Sequence, residues 1–150
     1  MNKSNNQKSI EICKILNLRL ADSIDLYHQL KQMHWNIKGR NFIQFHELLD
    51  EVAGSILAHM DLIAERIVQL KSEASGTLQM ATKKSTMQSY ILKSVKEIDV
   101  MSYATNIVRE WADKCKENID EVDDPVTADI LTEITREADK YRWILESHLE

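Results

Sequence analysis

An all-α fold, an antiparallel bundle of four long helices, is what this sequence of 150 residues predicts, and three observations predict it. Only 3 glycines and 1 proline punctuate the chain, so it has few places to reverse. Apolar residues recur at helical spacing in four long segments. One long, polar and irregular stretch separates the second segment from the third, as in bundles with a single long crossover.

The first segment runs from about Ser9 to Ile37, with Ile12, Leu16, Leu20 and Ile24 recurring every four residues and Cys13, Tyr27 and His34 on a related stripe. Residues 1–8 read as a short polar N-terminal tail, ahead of a single domain over residues 9–150. Gly39-Arg40-Asn41 breaks the pattern, and glycine suits the backbone bend expected there. The second segment, from Phe42 to about Lys71, carries Phe45, Leu49, Val52, Ile56, Ile63 and Ile67 on one face. Gly54 lies inside it, where a small residue permits close approach of another helix.

Residues 72–89 form the irregular connection, with a short helix expected over Thr77–Lys83. The third segment, about Ser94 to Ile119, places Val95, Ile98, Met101, Val108, Trp111 and Cys115 at helical spacing. Asp124 is the expected cap of the fourth helix and Pro125 its first-turn residue, where a missing N–H does no harm. That helix continues through Ile130, Leu131, Ile134, Ala138 and Tyr141 to about Leu145.

The net charge of −5 argues against a globally basic nucleic-acid binder, and only Lys3 and Lys8 offer a basic arm. No apolar run approaches the ~18 residues of a membrane span, and the polar start lacks a secretory segment. Cys13 and Cys115 have no metal or redox spacing and read as reduced, structural thiols in a cytoplasmic protein.

The chemistry gathers on the second helix, where His46, Asp50, Asp61 and Glu65 share a stripe roughly 100° wide. Surface charge is the bland alternative for each pair. Here, however, they interrupt an apolar stretch, and their spacing is palindromic: Asp50 follows His46 by the same four residues that separate Asp61 from Glu65. Carboxylates and imidazoles on one face suit iron or a similar divalent metal. Asp50 and Asp61 lie about 16 Å apart along a helix, too far for one ion. Two copies of this helix, antiparallel about a two-fold axis, would bring His46 to Glu65 and Asp50 to Asp61 of the mate. His34, folded back by the Gly39 turn, is the natural fifth ligand.

These residues resemble the Dps family, the DNA-binding proteins from starved cells or mini-ferritins. The resemblance rests on His34-Trp35-Asn36-Ile37-Lys38-Gly39-Arg40-Asn41-Phe42, His46-Glu47-Leu48-Leu49-Asp50 and Asp61-Leu62-Ile63-Ala64-Glu65-Arg66. More loosely it continues through Thr127-Ala128-Asp129-Ile130-Leu131 to the C-terminus. It implies a ferritin-like antiparallel four-helix bundle assembled as a dodecamer, with His34, His46 and Asp50 on one side of each two-iron ferroxidase site. Asp61 and Glu65 would come from the two-fold mate. The implied activity is oxidation of Fe(II) by hydrogen peroxide or dioxygen, storage of ferric mineral in a hollow shell, and protection of DNA from oxidative damage. Zinc is a possible substitute metal.

The resemblance also implies a three-fold iron-entry pore lined by Asp129 with Glu121 or Asp123, and a redox neighbour in Trp35, whose simpler role is interface packing. The chain departs from the family's Gly-Gly-type turn, carrying Lys71-Ser72-Glu73-Ala74-Ser75-Gly76 instead. Its short arm is poor in lysine, so DNA binding through a basic tail is not expected. The competing readings are a non-enzymatic DNA-compacting shell with structural metal sites, a helical interaction module, and a full-size ferritin. The last would need internal Glu-x-x-His motifs, which the sequence lacks.

Overall fold

Five helices follow one another in a computed structural model that describes residues 3–91 and 93–149, with side chains from residue 7 onward. They are α1 (Lys3–Asn36), α2 (Phe42–Gln69), α3 (Leu78–Lys84), α4 (Glu97–Glu121) and α5 (Pro125–Glu146). Helix α1 packs along α2 and α4 along α5, and contacts of α1 with α4 and of α2 with α5 close the two hairpins into a bundle. The short α3 lies on α1, within the crossover. The architecture is the predicted helical bundle.

Its core is the predicted apolar stripe of each long helix. Leu16, Leu30 and Met33 of α1 meet Leu49, Ile56 and Ile63 of α2, with Val108, Trp111 and Cys115 of α4 and Leu131 and Ile134 of α5, all of them buried. Both cysteines are buried free thiols. Burial pushes the Cys115 thiol up to about 12, the behaviour of a small core hydrophobe.

Four expectations need correction. Helix α1 begins at Lys3, so the segment read as a polar tail is helical from there, while Met1 and Asn2 lie outside the described residues. At its end Gln7 and Lys8 are exposed: Gln7 bonds Glu11 one turn on, and Lys8 pairs with Asp123 in the α4–α5 turn. Helix α4 begins at Glu97, three residues after Ser94, because Lys96 forms a bridge with Lys38, whose N–H donates to the Val95 carbonyl and whose carbonyl accepts the Glu97 N–H. Ile98, placed on the apolar stripe by its spacing, is 54% exposed. Gly39 does not adopt a left-handed conformation; it is required for space, as shown below.

The crossover is tied down by a buried charge. Asp22 is fully buried, pairs with Arg19 at 3.0 Å and accepts the Thr86 N–H at 2.6 Å. Ser85 bonds Asp25 at 2.6 Å beside it. A buried carboxylate needs such partners, and these fix residues 85–86 against α1. Thr77 caps α3 by accepting the Met80 N–H, and Asp124 caps α5 by accepting that of Thr127 at 2.9 Å, with Pro125 in its first turn. Helix α2 ends with Lys71 at φ 63°; Ser72 donates to the Ile67 carbonyl and Lys71 to that of Val68. This is a Schellman ending with lysine where glycine is usual.

Candidate metal centre

The turn between α1 and α2 spans residues 37–41 and sets the last turn of α1 against the first turns of α2. His34 and His46 meet there, their rings stacked with centroids 3.7 Å apart. Each imidazole also bonds the other's main chain: His34 Nδ1 to the His46 carbonyl at 2.7 Å, and His46 Nδ1 to the His34 carbonyl at 2.8 Å. A carbonyl only accepts, so both Nδ1 atoms carry the proton. In the neutral ring each Nε2 is then left as a bare lone pair, the form in which imidazole binds a metal.

The His34 carbonyl is free for this because α1 ends at Asn36. The Lys38 N–H, which would bond it in a continuing helix, donates to Val95 instead, at 2.7 Å. Phe42 also stacks on His46, with centroids 4.9 Å apart. His34 is buried, which holds the ring in this one orientation.

Asp50, one turn beyond His46, is exposed at the edge of the pair. Its carboxylate forms an ion pair with Lys31, and that hydrogen bond, reinforced by the nearby imidazoles of His34 and His46, holds its pKa below the usual value. Three of the five predicted ligands are therefore gathered at one end of the α1–α2 hairpin. The other two are not. Asp61 and Glu65 are exposed farther along α2, and neither bonds any described residue. Among the described residues, no group of three or more His, Cys, Asp or Glu side chains forms a metal site within one chain.

Around Asp61 the α2 surface is apolar and finely stepped. Gly54, Leu57, Ala58 and Ala64 line a shallow cavity of about 570 Å³ together with Leu20 and Ile24 of α1. Leu57 is 46% exposed, and a Cβ added to Gly54 would touch nothing within 4 Å.

Known proteins share both fold and sequence. The chain matches the Ferritin-like domain family over residues 13–150. It is 41% identical, over 91% of its own length and 86% of the relative's, to the DNA protection during starvation protein of Agrobacterium fabrum. This chain belongs to the Dps family. The Dps of Mycobacterium smegmatis superposes with a TM-score of 0.92 at 26% identity, covering 97% of this chain and 89% of that one. Antigen TpF1 of Treponema pallidum gives 0.90 at 28%, covering 96% and 94%.

In this Dps-family chain the remaining predicted residues are dispersed. Trp35 is 64% exposed, with the Lys31 ammonium 5.8 Å from its ring centroid. Glu121 accepts from Asn118, Asp123 is engaged by Lys8, and Asp129 is exposed with no bond to any described residue. His59 is buried, stacked on Trp111 and paired with Glu137 at 2.6 Å, a structural position inside the bundle. No helix among the described residues is long and apolar enough to cross a membrane.

Two residues beside the site escape a reading of the sequence. Lys31 stands three residues before His34 on the same face of α1, so its spacing offered a signal. Glu97 offered none: it reaches the α1–α2 turn from 56 residues beyond Asn41.

Proposed function

We propose that this chain is a ferroxidase and iron-storage mini-ferritin whose metal sites are completed by a second copy of itself. The observation that carries the reading is the division of its ligands. His34, His46 and Asp50 are assembled at one end of the hairpin with both Nε2 atoms free, while Asp61 and Glu65 stand unpartnered farther along the same helix, Asp61 about 16 Å from Asp50. A two-fold axis between Ser55 and Ile56 superimposes one set on the other. The same axis sets Gly54 of one copy against Leu57 of its mate, and so explains a glycine that its own chain does not require.

At such a site two Fe(II) ions bind as substrate. The imidazoles retain ferrous iron without excess negative charge, and the carboxylates favour the ferric product. Each Fe(II) gives one electron to hydrogen peroxide. The O–O bond breaks, two protons are taken up, and two waters leave with no one-electron radical released. Dioxygen is the alternative oxidant.

Dimers of this kind would close into a dodecameric shell in the bacterial cytoplasm that stores ferric mineral. Iron would enter past Asp129 and Glu121, with Asp123 set aside by its pairing to Lys8. DNA would be protected by removal of peroxide and Fe(II). With Lys8 engaged by Asp123, the arm has one of its two lysines committed elsewhere, which argues against direct binding through it. Trp35, exposed next to His34, would pack in the subunit interface and could there accept stray oxidising equivalents.

Complementation tests the shared site. Asp61→Ala/Glu65→Ala and His34→Ala/His46→Ala should each lose rapid peroxide-dependent Fe(II) oxidation while remaining helical. Refolded together in equal amounts, they should regain about a quarter of the wild-type rate, because half the dimers are mixed and each mixed dimer holds one intact site of two. No recovery in confirmed mixed shells would overturn the proposal.

A further inference from the structure

The turn that carries His34 and His46 is gripped from a distant part of the chain. The Glu97 carboxylate, in the first turn of α4, accepts the Asn41 N–H at 2.9 Å through Oε2 and the Asn41 side-chain amide at 3.2 Å through Oε1. Asn41 is the N-cap of α2, yet its side chain makes no capping bond; its amide donates to Glu97. The main chain beside it is held as well: Lys38 donates to Val95 at 2.7 Å and accepts from Glu97 at 3.0 Å, a parallel bridge outside any sheet. Gly39 is fitted to the same contact. A Cβ at that position would lie 1.9 Å from Glu97 Oε2 and 2.3 Å from its Cδ.

The consequence reaches the imidazoles through one carbonyl. Diverting the Lys38 N–H to Val95 leaves the His34 carbonyl without a helical donor, and His46 Nδ1 takes that place at 2.8 Å. We infer that Glu97 is a positioning residue for the iron site: by clamping the Gly39–Asn41 turn it keeps the His34 carbonyl open to His46 and so directs the bare Nε2 of His46 outward. The inference rests on the reading of His34 and His46 as iron ligands. Outer partners that fix a ligating imidazole change metal affinity by about 10- to 100-fold.

Glu97 and Gly39 form one device, so removing either part should have the same effect. Glu97→Ala deletes the two carboxylate bonds to Asn41 and leaves the main-chain bridge to Lys38, whereas Gly39→Ala keeps the carboxylate but displaces it. Each should weaken anaerobic Fe(II) binding, measured by calorimetry on the assembled shell, about tenfold. The double variant should be no worse than either single one, since both remove the same contact. Glu97→Gln retains one acceptor for the Asn41 N–H and should recover part of the affinity.

Solid-state ¹⁵N NMR of the metal-free shell gives a readout that general destabilisation would not move. His46 should be protonated at Nδ1 in the wild type and divided between the two tautomers in Glu97→Ala. His46→Ala is the reference, and it should abolish binding at the site. If His46→Ala abolishes binding while Glu97→Ala leaves both affinity and tautomer unchanged, the inference about Glu97 fails and the site survives. If His46→Ala itself leaves binding unchanged, the reading of the site fails first.

Discussion

Lys31 and Asp50 are joined by an ion pair across the α1–α2 hairpin, so one of the proposed iron ligands already holds a cation supplied by its own chain. The Lys31 ammonium also faces the ring of Trp35. It therefore competes with a metal for the Asp50 carboxylate, whose pKa it lowers. Lys31→Met keeps the aliphatic stem and removes the charge. Anaerobic Fe(II) titration of that variant should show severalfold tighter binding, and weaker binding would mean that the lysine assists the metal.

The ending of α2 makes a prediction about stability. Lys71 sits at φ 63°, where a side chain crowds the backbone and glycine does not. Lys71→Gly should stabilise the fold by about 1 kcal/mol, the relief expected for a single left-handed residue. The midpoint of chemical denaturation, compared with wild type at equal shell concentration, provides the check.

His59 should make stability depend on pH. Burial holds its pKa below the ordinary 6.5, against the opposing pull of Glu137 and Glu133. Its Nε2 faces Glu137, and its buried Nδ1 has no hydrogen-bond partner, so a second proton there would be a buried donor without an acceptor. The contribution is complete above 6.5. As pH falls through that value the unfolded chain takes up its proton first, and stability declines until the folded imidazole also protonates. His59→Gln keeps a donor for Glu137 and removes the titration. Thermal midpoints between about pH 7 and about pH 5 should fall more steeply in wild type than in the variant.

Much of the fold was legible from local pattern, because an amphipathic helix advertises itself through its spacing. Leu16, Leu49, Val108 and Ile134 are buried as their periodicity requires, and Asp124 caps α5 next to Pro125. The two ends that were misplaced fail for a common reason. Lys3–Lys8 is helical although polar, and its Lys8 pairs with Asp123; Val95 leaves a helical pattern to bond Lys38. In both cases a long-range partner decides, and local propensity carries no record of it.

The sequence by itself determined the four helices, the palindrome of His46, Asp50, Asp61 and Glu65, and the impossibility of one helix bridging that span, because rise per residue and side-chain spacing are local properties. Only the tertiary structure decided which nitrogen each histidine presents, that Lys31 occupies Asp50, and that Glu97 clamps the turn. Those depend on groups 12 to 56 residues apart meeting within hydrogen-bonding distance, and such meetings are settled by how the helices pack.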